Sequence, residues 1–132
     1  MSNRQHLFRG KLKDNGEWIE GYLYRISEIQ NPFIMLKNRC AVSYEVIPET
    51  IGEWTGLCDK NGVKIFEDDI VKVPSFRPEV MHIGFIEGAF CLTDLNGKYA
   101  ADIHYIHPAG VNESEVIGNI HDNPELLEVS KC

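Results

Sequence analysis

The residues best equipped for chemistry are three consecutive carboxylates, Glu67, Asp68 and Asp69, in the run IFEDDIV. Paired acids can hold Mg²⁺ or Ca²⁺ through oxygen, or share a proton as an acid–base couple. Successive strand residues point to opposite faces, so only Glu67 and Asp69 can converge, and two donors fall short of the roughly six oxygens that such a cation takes. The run therefore predicts a strand-entry turn whose carboxylates accept backbone N–H groups. His104 and His107, with Cys91 or His121, have the ligand types of a zinc site. Their spacing puts the two histidines on opposite sides of a strand unless the chain turns at Pro108, and no further ligands follow at zinc-site spacing, so no metal or cofactor is expected. No serine has an elbow-like glycine context and no glycine-rich phosphate loop is present, which gives a non-enzymatic reading.

The aromatic and basic side chains offer candidate binding residues. Trp18, Tyr22, Tyr24, Trp54 and Phe66 could stack on bases or anchor a peptide, although aromatic residues in strands more often enter the core. Trp54 is the recognition candidate, because Gly52, Glu53, Thr55 and Gly56 place it in a turn-rich segment. Arg4, Arg9, Lys11 and Lys13 crowd the N-terminal stretch, and residues 1–40 hold seven Lys/Arg against four Asp/Glu, net +3. Residues 41–132 hold six against sixteen, net −10, and the whole chain carries −7. An acidic bulk opposes generic nucleic-acid binding, unless the basic residues gather on one side. The opposite-sign segments can instead face each other within the fold or between subunits.

The elements that must position these residues are strands. Three Asn-Gly pairs, Asn15-Gly16, Asn61-Gly62 and Asn96-Gly97, provide the positive φ of tight hairpins, and strand-like runs flank each of them. Trp18, Glu20 and Tyr22 alternate with Ile19, Gly21 and Leu23, as a half-buried strand requires. The fold class expected is mainly β: antiparallel hairpins forming a small barrel-like or two-layer domain, with an SH3-like element after Glu67. Asp122 or Asn123 as cap, Pro124 and Glu125 predict a short C-terminal helix. With 132 residues, 43% of them hydrophobic, the chain can bury one core, so a single domain over 1–132 is expected, with sub-layers 1–60 and 61–132. The scattered Cys40, Cys58, Cys91 and Cys132 suit reduced thiols, and no run has the length of a membrane span, so a cytoplasmic protein is expected.

The run TGLCDKNGVKIFEDDIV resembles the signature of the YopX family of phage and prophage proteins. FRGKLKDNGEWIEGYL from Phe8, the lead-in VIPETIGEWTG from Val46 and EVIGNIHDNPELL from Glu115 extend the resemblance over most of the chain. The chain departs from the pattern at Asp68, where glycine is usual, at Trp54, where Tyr or Phe is commoner, and at His121-Asp122, where Tyr-Glu is usual. Asp68 in place of glycine suggests that the backbone there need not adopt a glycine-only conformation. The resemblance implies a mainly β, phage-associated protein, often oligomeric, without an established activity. The expected function is a phage or prophage accessory module that binds a host or phage protein and self-assembles into a homo-oligomer. Nucleic-acid binding through Arg4, Arg9, Lys11 and Lys13 is the alternative, and Trp54, Glu67 and Asp69 complete the set of candidate binding residues.

Overall fold

The computed structural model describes residues 6–25, 31–36, 43–74, 79–93, 99–102 and 113–126. The strands among them are β1 (Phe8–Lys11), β2 (Trp18–Tyr24), β3 (Phe33–Leu36), β4 (Ser43–Glu45), β5 (Gly52–Cys58), β6 (Lys64–Phe66), β7 (Asp69–Lys72), β8 (Val80–Ile86), β9 (Ala89–Thr93), β10 (Tyr99–Asp102) and β11 (Glu115–Asn119). They form two antiparallel sheets, a six-stranded one ordered β4-β3-β2-β1-β5-β6 and a five-stranded one ordered β10-β9-β8-β7-β11. The mainly β class is as expected, but neither sheet closes into a barrel. Two compact units divide the chain, Met1–Trp54 and Thr55–Cys132, and the chain passes from one to the other within β5.

In the first unit β1 and β2 form the hairpin expected at Asn15-Gly16, with Leu12 N–H donating to the Glu17 carbonyl at 2.8 Å. Pairing of Lys11 with Trp18 and Arg9 with Glu20 puts Arg9, Lys11, Trp18, Glu20 and Tyr22 on one face, and Gly10, Ile19 and Gly21 on the other. The next pairings, Tyr22 with Met35 and Tyr24 with Phe33, add Met35 and Phe33 to the first face. An isolated pair, Leu12 with Val46, ties the end of β4 back to the end of β1, and Ile47 N–H reinforces it by donating to the Lys11 carbonyl at 2.9 Å. The four strands therefore curl around Ile34 and Val46, which are fully buried. That curl leaves no room at Gly21, where a Cβ would collide with the Met35 carbonyl oxygen and stand 2.9 Å from Ile34 Cγ2.

The second unit has its own core of Ile65, Val71, Val73, Met81, Ile83, Phe90 and Leu92, with Leu57 and Val116 packed against it. Each fully buried side chain of this size stabilises by roughly 1.5–3 kcal/mol relative to its exposed state. The family-like run supplies much of the framework around this core. Gly56 takes φ +92° inside β5, and the buried Thr55 hydroxyl donates to the Ile65 carbonyl at 2.8 Å while accepting from Leu57 N–H at 3.2 Å. Asp59 Oδ1 accepts Asn61 and Val63 N–H at 2.8 and 2.9 Å, fixing the Asn61-Gly62 turn. Its Oδ2 accepts Val116 N–H at 2.9 Å, which fastens that turn to β11.

One expectation, at Asp68, requires correction. The strand-entry turn expected of the carboxylate run is present: Glu67-Asp68 turn the chain between β6 and β7, which belong to different sheets. Asp68 does adopt the conformation that glycine favours, at φ +74°, with its N–H donating to the Ile83 carbonyl at 2.8 Å and its carbonyl accepting Ile120 N–H at 3.0 Å. Backbone partners on both sides hold the residue in a region that costs a non-glycine residue about 1 kcal/mol or more. The C-terminal helix is not confirmed. Asn123 Oδ1 turns back to accept Asn119 N–H at 3.3 Å, and residues 127–132 lie outside the described residues.

Candidate functional site: the cationic and aromatic face of the first unit

Register and charge converge on the face of the first unit opposite Ile34 and Val46. The Arg9 guanidinium carbon lies 4.6 Å from the centre of the Trp18 ring, and the Lys11 ammonium lies 5.4 Å from it. Both cations come from one strand two residues apart, so β alternation brings them to the same indole. Contacts of this kind contribute about 0.5–1 kcal/mol each at exposed sites, and they hold flexible side chains in place. Beside them Tyr22 is 36% exposed, and the Tyr24 and Phe33 rings stack with centroids 5.7 Å apart. Tyr24 is further fixed by a 2.8 Å hydrogen bond between its hydroxyl and that of Ser43. Acidic groups border the patch: Glu20 faces Arg9 across the strands, and Glu45 Oε2 takes the Lys13 ammonium at 3.3 Å and the Asn31 amide at 2.9 Å. The surface is thus aromatic with interleaved charges of both signs.

The other sequence candidates are distributed elsewhere. Trp54 is not in a turn: it lies within β5, half-buried, and its N–H donates to the Leu7 carbonyl at 2.8 Å. Pairing of Arg9 with Gly52 puts Trp54, two residues further along, on the same face as Arg9. Asp69 is buried at 1% exposure, and its Oδ2 accepts Phe66 N–H at 2.7 Å, as expected of a turn carboxylate. Glu67 occupies the turn itself. Arg4, His104 and His107 lie outside the described residues. Among the described residues no three His, Cys, Asp or Glu side chains group as metal ligands. Cys58 and Cys91 are free thiols, the former exposed and the latter buried.

Two polar features of the second unit were not evident in the sequence. Asp68 Oδ2 lies 3.1 Å from His121 Nε2, so two positions that depart from the family-like pattern meet in space. Asp59 is the other. Burial alone would raise its pKa, but the hydrogen bonds from Val116, Val63 and Asn61, helped by the charge of Lys60, outweigh burial and lower it from 3.8. Its spacing ahead of Asn61-Gly62 was the available signal.

These features define a two-sheet antiparallel β protein whose buried carboxylates, Asp59 and Asp69, serve its own backbone. A family model described as YopX protein matches residues 7–128, and the chain belongs to that family. Protein EF1440 from Enterococcus faecalis, known from a crystal structure, is 29% identical and superposes with a TM-score of 0.52, over 91% of this chain and 96% of that one. No curated protein matches the chain. No helix among the described residues is long and apolar enough to cross a membrane.

Proposed function

We propose that this chain is a non-catalytic interaction module, encoded by a phage or prophage and acting in the host cytoplasm, that binds a host or phage protein through the Arg9–Trp18–Lys11 face. The observation that carries this reading is the ordered indole between two cations, extended by Tyr22 and the Tyr24–Phe33 stack. Trp, Tyr and Arg are the residues in which interface hot spots are enriched. Interleaved Glu20 and Glu45 suit a protein surface of mixed charge better than a polyphosphate, which rewards uninterrupted basic groups. The carboxylates of the family signature support a binding role as well, since Asp59 and Asp69 are engaged as acceptors of backbone N–H groups.

Affinity capture from host lysate, with and without nuclease, tests the proposal. A stoichiometric protein should survive nuclease treatment, and it should be lost from a Trp18→Ala variant whose circular dichroism is unchanged. Loss of about 2 kcal/mol at such an anchor corresponds to roughly 30-fold weaker binding. Recovery of nucleic acid, with salt-dependent binding that disappears on nuclease treatment, would replace this reading with the nucleic-acid alternative.

A further inference from the structure

Among the described residues, two identical Asn-Gly dipeptides occupy exposed turns, and their surroundings differ in a way that bears on their chemistry. Asn15-Gly16 lies in the β1–β2 turn, and Asn61-Gly62 in the turn between β5 and β6. All four residues are exposed. In both, the glycine N–H donates to a nearby carbonyl: Gly16 to Leu12 at 2.9 Å and Gly62 to Asp59 at 3.0 Å. Backbone engagement therefore does not distinguish them.

We propose that Asn15 is a site of spontaneous deamidation, and that Asn61, in the same Asn-Gly context, is protected by the Asp59 carboxylate. In this reaction the glycine nitrogen loses its proton and attacks the asparagine side-chain carbon. The new C–N bond closes a five-membered imide as the C–NH2 bond breaks and ammonia leaves. Water then opens the imide at either carbonyl, giving Asp or its β-linked isomer with no change of oxidation state. Glycine permits the attack because it has no Cβ to obstruct it.

The two sites differ at the electrophile and at the nucleophile. Asn15 Oδ1 accepts Glu17 N–H at 2.9 Å, which orients the side-chain amide against its own backbone and draws electron density from the carbon to be attacked. Asp59 Oδ1, by contrast, takes the N–H groups of Asn61 and Val63, the residues on either side of Gly62. A fixed negative charge thus stands beside the nitrogen that must become anionic, and it disfavours that anion. The same carboxylate, anchored to Val116 N–H, restrains the turn from the rearrangement that attack requires. Deamidation at Asn15 would act on the hairpin whose register places Lys11 opposite Trp18, because the β-linked product lengthens the turn by one backbone atom.

The test is peptide mapping by mass spectrometry of the full chain aged at mildly alkaline pH, folded and in parallel in urea. In the folded protein the Asn15 product should lead the Asn61 product by about tenfold, the scale of repulsion expected from a nearby charge, and in urea the two should agree within about twofold. Folded protein in which Asn61 equals or overtakes Asn15 overturns the proposal. So does a lead of Asn15 that persists undiminished in urea, which would trace it to sequence neighbours rather than to Asp59. Reaction at both sites in urea with none at Asn15 in the folded chain overturns the assignment of Asn15.

Discussion

Replacing Asp59 with alanine removes a single side chain that accepts three backbone N–H groups, from Asn61, Val63 and Val116. Asn61 and Val63 are exposed, so water can satisfy their donors after the substitution, at a loss of about 0.5–1 kcal/mol each. The third bond is the costly one. It ties the β5–β6 turn to β11 through a carboxylate only 6% exposed, and losing such a charge-assisted bond costs about 1.5–3 kcal/mol. Together these give a destabilisation of about 2.5–5 kcal/mol, a large fraction of a typical folding free energy of roughly 5–15 kcal/mol. Asp59→Asn keeps one acceptor oxygen and should cost about 2 kcal/mol. The assay is equilibrium urea unfolding followed by far-ultraviolet circular dichroism, because Trp18 and Trp54 both belong to the first unit and would report poorly on the second. The wild-type chain should also lose this contribution in acid. Its folded-state pKa lies below the ordinary 3.8, so the stabilisation is complete above about pH 4 and disappears as the pH falls from there through the lowered value. An Asp59→Ala midpoint indistinguishable from wild type, or an acid profile identical in the two proteins, would refute the role given to this carboxylate.

Other substitutions probe the backbone and the Asp68–His121 contact. Gly21→Ala should destabilise the first unit by about 2 kcal/mol or more, since its Cβ meets the Met35 carbonyl and Ile34, whereas Gly16→Ala, with open space around it but φ +75°, should cost about 1 kcal/mol in the same urea melts. Asp68→Gly relieves about 1 kcal/mol of left-handed strain and gives up a side-chain contact with His121 worth at most about 1 kcal/mol, so its melt should stay close to wild type. Asp68→Ala loses the contact and keeps the strain, and should be destabilised by about 1–2 kcal/mol. Equal melts for the glycine and alanine variants would refute the strain at Asp68.

Legibility of the fold followed local turn chemistry. Asn15-Gly16 between alternating strands was sufficient for β1 and β2, and β9 and β10 pair antiparallel on either side of Asn96-Gly97, which itself lies outside the described residues. The turn between β6 and β7 was legible from its carboxylates, but its left-handed conformation was not, because Asp68 rather than glycine stands at that position. The β8–β9 hairpin was hidden for a related reason: Glu87 has φ +51° ahead of Gly88, and Glu-Gly is a weaker turn signal than Asn-Gly. At the site, the charges of Arg9 and Lys11 were plain, but their meeting over Trp18 depends on register, which the turn between them sets. FIML from Phe33 to Leu36 reads as a buried or edge strand, but the place of Phe33 and Met35 at the site rests on pairing with β2 across the segment after Tyr24, where Asn31-Pro32 carries the only strong turn signal. Trp54 was misplaced because glycines on both sides resemble turn residues, although Gly56 instead bends a continuing strand.

The central claim is that recognition belongs to the aromatic and cationic face of the first unit, while the family-like run from Thr55 to Val71 holds the second unit together. Amide hydrogen exchange of the protein with and without its captured partner tests this most directly. Slowed exchange should concentrate in Phe8–Lys11, Trp18–Tyr24 and Phe33–Leu36. Protection confined to residues 55–126, with those three strands unchanged, would contradict it.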